Sequence, residues 1–194
     1  MTGKPKSLET AYFDELYARD DDPWNFSRSD YERAKYSHTL RALPRRHYQC
    51  AVEVGCSIGI LTEQLAPRCS SLLALDASER PLVHARNRCK GLPQVRIEQG
   101  RVPQNWPDGV FDLLLFSEVL YYLSPADLKE VAACVRRSAA PAAHILLVHW
   151  TGETDYPLSG DVATDGFISA IAPSIHTLRE EVTDAYRLVF LSLK

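Results

Sequence analysis

The sequence predicts an α/β fold: a mostly parallel seven-stranded sheet with helices on both faces, ending in an antiparallel hairpin. Three observations predict it. From Cys50 onward, short apolar runs alternate with segments of helical period, as in successive β-α-β units. The run from Phe111 to Phe116 is nearly all apolar, as a strand covered on both sides must be. Near the end, two strand-like runs are separated only by Thr183, Asp184 and Ala185, which makes a hairpin.

The elements follow in order. A helix is expected from Glu9 to Ala18, broken by Asp20-Asp21-Asp22-Pro23, because proline keeps the residue before it out of the helical region. A second helix runs from Asp30 to Leu43, closed by Pro44. Ala51 to Val54 reads as a strand, Ile60 to Leu65 as a helix and Ser71 to Leu75 as a strand. Ser78 caps a helix to Lys90 whose Leu82, Ala85 and Cys89 share one face. Gln94 to Glu98 and Phe111 to Phe116 are strands. Ser124-Pro125-Ala126-Asp127 is a capping box, and Leu128, Val131, Ala132 and Val135 form the stripe behind it. A strand from His144 to Trp150 and a short helix from Asp165 to Ile171 precede the hairpin strands, Ile175 to Val182 and Tyr186 to Leu193.

The 194 residues make one domain, 1–194, in which the aromatic and charged stretch 1–45 stands apart from 46–194. Hydrophobic residues are 45% of the chain, so it folds rather than remaining disordered. A net charge of −3 gives no general electrostatic reason to bind nucleic acid or anionic membranes. The five cysteines are odd in number and none form C-x-x-C, against a disulfide framework or structural zinc. Scattered free thiols suit a reducing cytoplasm, and no signal peptide is expected at the polar start. His144 and His149 fall on opposite faces of their strand and make no metal pair.

The segment Val52-Glu53-Val54-Gly55-Cys56-Ser57-Ile58-Gly59 joins the first strand to the next helix. A plain turn would need only one glycine. A dinucleotide loop wants G-x-G-x-x-G, which Ser57 and Ile60 break. Gly55-Cys56-Ser57-Ile58-Gly59 matches the G-x-S-x-G nucleophile elbow of serine hydrolases, but no H-G-G-G stretch and no earlier strands precede it. The remaining reading is a nucleoside carrying a charged amino-acid tail. Glu53 then has a reason to be there, since an α-ammonium group favours an acid where pyrophosphate does not. Asp76 ends the second strand about twenty residues beyond Gly55, the spacing of an acid that reaches ribose hydroxyls.

With these residues together, the sequence is similar to class I S-adenosylmethionine-dependent methyltransferases, and more narrowly resembles the nodulation protein S (NodS) type. The resemblance covers nearly the whole chain. It runs through Asp22-Pro23-Trp24 and Tyr31-Glu32-Arg33-Ala34-Lys35-Tyr36, the glycine loop, and Asp76-Ala77-Ser78. It continues through Trp106-Pro107-Asp108-Gly109-Val110-Phe111-Asp112-Leu113, Ser117-Glu118-Val119-Leu120-Tyr121-Tyr122-Leu123, His149-Trp150 and Tyr156-Pro157-Leu158-Ser159-Gly160-Asp161. Two departures stand out. Pro141-Ala142-Ala143 replaces the usual Pro-Gly-Gly turn, where a local adjustment is expected, and Thr164 stands where relatives often carry histidine.

The resemblance implies a Rossmann-like class I methyltransferase fold, S-adenosyl-L-methionine as cofactor and a small-molecule acceptor. It places Glu53, Gly55 and Gly59 around the methionine part, Asp76 on the ribose and Ala77 beside the adenine. Gly100 and Arg101 would lie at the adenine edge, and Ser117 beside the methionine tail. The stretch 1–45 would be a helical lid over a cofactor-binding core, 46–194. Trp24 and Tyr31 would touch the cofactor, and Arg33 or Lys35 would pair with its carboxylate. Glu118, Tyr121, Tyr122 and His149 are the candidates for a base at the acceptor. By resemblance the acceptor is an amine of a deacetylated chitooligosaccharide or amino sugar. Small-molecule O-methylation and a serine hydrolase using Ser57 are the alternatives.

Overall fold

The computed structural model describes residues 6–194. Its sheet contains β1 (Tyr48–Val54), β2 (Cys69–Asp76), β3 (Val95–Gln99), β4 (Phe111–Ser117), β5 (Ala139–Trp150), β6 (Ile175–Val182) and β7 (Tyr186–Leu193). The order across the sheet is β3-β2-β1-β4-β5-β7-β6. β1 to β5 are parallel, whereas β7 runs antiparallel to both β5 and β6. The expected architecture is therefore the observed one.

Alternation along each strand builds two core layers. One side buries Val52, Leu114, Phe116 and Leu147 under α5 (Pro125–Ser138) and α6 (Gly160–Ile171). The other buries Ala51, Leu113, Leu115 and Val148 under α3 (Ile60–Leu65) and two N-terminal helices, α1 (Thr10–Arg19) and α2 (Asp30–Ala42). α4 (Glu79–Cys89) covers Ala74 with Leu82 and Ala85. No helix of the described residues is long and apolar enough to cross a membrane.

Three element starts differ from expectation by three residues or more. β1 starts at Tyr48 rather than Ala51, because the fully buried Tyr48 pairs its hydroxyl with His144 Nδ1 at 2.9 Å. β5 starts at Ala139, across a register shift opposite Phe111–Leu113. α6 starts at Gly160 rather than Asp165; its first turn holds poor helix formers and rests on the Ser159 hydroxyl, which accepts from the Val162 amide.

The strand order reverses direction between β1 and β4. In an open α/β sheet that switch point leaves a crevice at the carboxyl ends of the strands. Here the crevice is roofed by α1 and α2.

Candidate active site

A cavity of about 380 Å³ occupies this crevice. Its floor begins at the end of β1. Gly55 takes φ +82° and Ser57 φ +49°, so the loop turns sharply, and both Gly55 and Cys56 donate their amides to the Leu75 carbonyl. Gly59 (φ +79°) starts α3. A Cβ there would lie 2.9 Å from the Cα of Ala85, so the glycine lets α3 and α4 approach.

Two acids stand at this end. Glu53 is buried, and its Oε2 has no hydrogen-bond partner. Burial pushes its pKa up to about 7; the nearby Thr62 hydroxyl opposes the rise without completing a well-formed hydrogen bond, and Asp76 adds to it. Asp76 accepts the Ser57 amide at 2.9 Å and the Ser78 amide at 3.0 Å, one on each oxygen. Burial still raises its pKa to about 6, against these amides and with a small contribution from Asp14. A carboxylate oxygen has more than one lone pair, so both oxygens keep acceptor capacity for hydroxyl groups. An orphaned buried carboxylate oxygen beside such an acid fits a ligand with an ammonium group and a ribose.

The other end is built around Glu118. It follows β4 in the left-handed region (φ +56°), a strained conformation for a non-glycine residue and one that clusters at functional sites. Its Oε1 accepts from Lys35 Nζ at 2.6 Å. Its Oε2 accepts from the Tyr121 hydroxyl at 2.9 Å and the Trp150 amide at 2.8 Å. Tyr121 stacks on Tyr156 and lies edge-on to Tyr122.

α1 and α2 close the cavity through polar contacts. Tyr17 meets the Ser57 hydroxyl at 2.6 Å, the Ser78 hydroxyl donates to Asp14 at 2.6 Å, and Arg101 pairs with Glu9 at 2.6 Å. Lys35 supplies the fourth contact.

The structure brings most of the anticipated residues to this cavity. Glu53, Gly55, Asp76 and Ala77 line it with Gly100 and Arg101, and Trp24 and Tyr31 roof it. Ser117, Glu118, Tyr121 and Tyr122 form the far wall. Three residues fall elsewhere. Arg33 points outward, bonded to the Arg28 carbonyl and paired with Asp30. Gly59 packs against Ala85 instead of lining the cavity. His149 is fully buried beneath the wall; its Nε2 accepts the Leu120 amide at 3.2 Å, and Nδ1 lies 3.3 Å from the Thr164 hydroxyl. Burial lowers its pKa to about 4, so it is neutral at pH 7 and holds the turn after Glu118 rather than facing an acceptor.

Ser57 has no histidine beside it. Its hydroxyl is engaged by Tyr17, which gives the hydrolase alternative no base. Glu32, Tyr17 and Thr154 line the cavity and were not singled out from the sequence. Only the position of Glu32 three residues before Lys35 carried a signal.

The family model of "Nodulation protein S (NodS)" matches residues 11–139. Nodulation protein S of Rhizobium tropici is 31% identical over 128 residues, covering 65% of this chain and 54% of that protein. The Sinorhizobium fredii (strain NBRC 101917 / NGR234) protein of that name is 32% identical over 130 residues, with shares of 65% and 59%. The match thus spans little more than half the length of these curated relatives. A solved putative methyltransferase from Pseudomonas syringae is 35% identical, with a TM-score of 0.74, over 84% of this chain and 98% of that one. The N-methyltransferase NodS from Bradyrhizobium japonicum WM9, solved with S-adenosyl-L-homocysteine, has a TM-score of 0.80 at 21% identity, over 96% and 99% of the two chains. That likeness bears on the fold, which is the Rossmann-like class I methyltransferase fold. The sequence match, which runs through α1, α2, the glycine loop and β4, shows that this chain belongs to the nodulation protein S (NodS) family.

Proposed function

We propose that this chain transfers the methyl group of S-adenosylmethionine to a small-molecule nucleophile, with the amine of an amino sugar as the first acceptor. One observation carries the reading: a single roofed cavity holds the orphaned Glu53 oxygen and Asp76 at one end and the strained Glu118 at the other. The naming of a relative as an N-methyltransferase supports an amine. The thiols, all free and mostly buried, suit a reducing cytoplasm.

When bound, the cofactor supplies a methyl group that is already electrophilic. The chain's task is then to orient and to exclude water. Asp76 would hold the ribose, and Glu53 would balance the α-ammonium group. Ala77, Gly100 and Arg101 would border the adenine, and Ser117 the methionine tail. Trp24 and Tyr31 belong to the roof formed by the described residues before β1, a lid that limits the access of solvent. Glu118 would take a proton from the ammonium form of the acceptor, freeing the lone pair that attacks the methyl group, with Tyr121 holding the carboxylate in place.

The test is transfer of labelled methyl from S-adenosylmethionine to a panel of amino sugars, chitosan oligomers, simple amines and phenols, with product mass spectrometry. Label on an amine is expected. Glu118→Gln should then lower kcat/KM by about 10²-fold or more, the lower range of general acid–base catalysis. S-adenosylhomocysteine affinity should stay within about tenfold, or roughly 1.4 kcal/mol. Full methylation of amines at pH 7 by the Gln variant would remove Glu118 from the reaction.

A further inference from the structure

The proposed acceptor end already contains a cation. Lys35 Nζ lies 2.6 Å from Glu118 Oε1 and 3.0 Å from Glu32 Oε1. It sits 5.3 Å from the centre of the Tyr31 ring and 5.9 Å from that of Tyr36. Its side chain is 2% exposed, and it is the only lysine on the cavity wall among the described residues. Two carboxylates and two aromatic faces are a recognition site for an ammonium ion.

The cage is not saturated by its occupant. Glu32 Oε2 is buried and 2.9 Å from the same nitrogen, an ion pair that completes no well-formed hydrogen bond at that oxygen. Two carboxylates against one ammonium leave a negative charge in excess, and burial raises the Glu32 pKa against the pull of Lys35. A buried acid without full pairing is costly unless something else fills the site.

We infer that Lys35 is an internal stand-in for a cationic acceptor: its ammonium group occupies the acceptor's cation seat, and an entering amine must displace it. This rests on the methyl-transfer reading. Lys35 rides on α2 and reaches Glu118 at the end of β4, so it also tethers the roof to the sheet. Displacing it frees Glu118 Oε1 for the incoming group and loosens α2 in one event. Seat occupancy and roof opening are thereby coupled, and a ligand's apparent affinity is reduced by the competitor it must expel. A neutral ligand of the same shape has no such exchange to make.

The experiment uses the whole chain with saturating S-adenosylhomocysteine, and benzylammonium and benzyl alcohol as probes. Lys35→Met removes the charge and keeps the apolar stem. By calorimetry it should bind benzylammonium at least about tenfold more tightly than the wild type, with benzyl alcohol changed less than about threefold. Equal benzylammonium affinity in the two proteins overturns the inference. Because Lys35→Met leaves two acids without their counter-charge and risks misfolding, the wild type gives an independent reading. Hydrogen exchange in residues 30–42 should quicken with benzylammonium and not with benzyl alcohol. No difference between the probes there also overturns it. Failure of the wild type to bind S-adenosylhomocysteine would instead sink the methyl-transfer reading, so the two failures are distinct.

Discussion

Glu53 and Asp76 have little to neutralise them in the free protein, and that has a measurable sign. Their folded pKa values, about 7 and about 6, lie above the ordinary carboxylate range. A group whose folded pKa is raised gives stability that is complete below its unfolded pKa and lost as pH rises through the folded one. The free protein should therefore lose stability between about pH 4 and pH 7. Glu53→Gln should flatten that slope, which thermal unfolding at several pH values measures; an unchanged slope would show that Glu53 is not the buried acid responsible. Ala142 carries a second local cost. It is exposed, at φ +54°, within β5 where the strand passes the register shift against β4. Ala142→Gly should stabilise the fold by about 0.5–1 kcal/mol, the relieved left-handed strain less the entropy glycine returns to the unfolded chain. Denaturant midpoints test this, and a loss of stability would refute it. Glu53, Gly55, Asp76 and Glu118 were legible in the sequence because loop and strand ends fix where they project. Tyr17 was not, because its partner Ser57 lies far along the chain in the loop after β1; Glu32 was not, because its own partner Lys35 is local and only the reach of Lys35 to Glu118 brings the pair to the site. His149 was misjudged because nothing local announces that its ring accepts the Leu120 amide.

At the scale of elements, the hairpin and the central strands were legible from period-two patterning and continuous apolar runs. Strand and helix starts were less so, because Tyr48 and Ser159 act through tertiary contacts or a cap preceded by no apolar stripe. The junction of α3 and α4 depends on a single missing side chain. Gly59→Ala combines a left-handed backbone with a methyl group 2.9 Å from the Ala85 Cα. It should cost about 2–4 kcal/mol, the sum of left-handed strain and overpacking. Equilibrium denaturation gives the number, and a cost below about 1 kcal/mol would mean that the helices separate freely. The same position was expected to border the cofactor. That expectation came from the resemblance; here the glycine serves the approach of two helices and does not line the cavity.

At the scale of the whole molecule, the order β3-β2-β1-β4-β5-β7-β6 brings the ends of β1, β2 and β4 to one crevice. The N-terminal helices then roof that crevice, tied down at Ser57, Ser78, Arg101 and Glu118. Sequence order predicted the sheet. The pairing of roof to floor was hidden, since each tie joins residues far apart in the chain. Cofactor recognition is where residue, element and topology meet, and calorimetric titration with S-adenosylhomocysteine tests it most directly. The wild type should bind one equivalent. Asp76→Ala should weaken binding by about 2–4 kcal/mol, roughly 30- to 1000-fold, through loss of charge-assisted bonds to the ribose. No binding by the wild type, or equal binding by a folded Asp76→Ala variant, would contradict the assignment of this cavity to the cofactor.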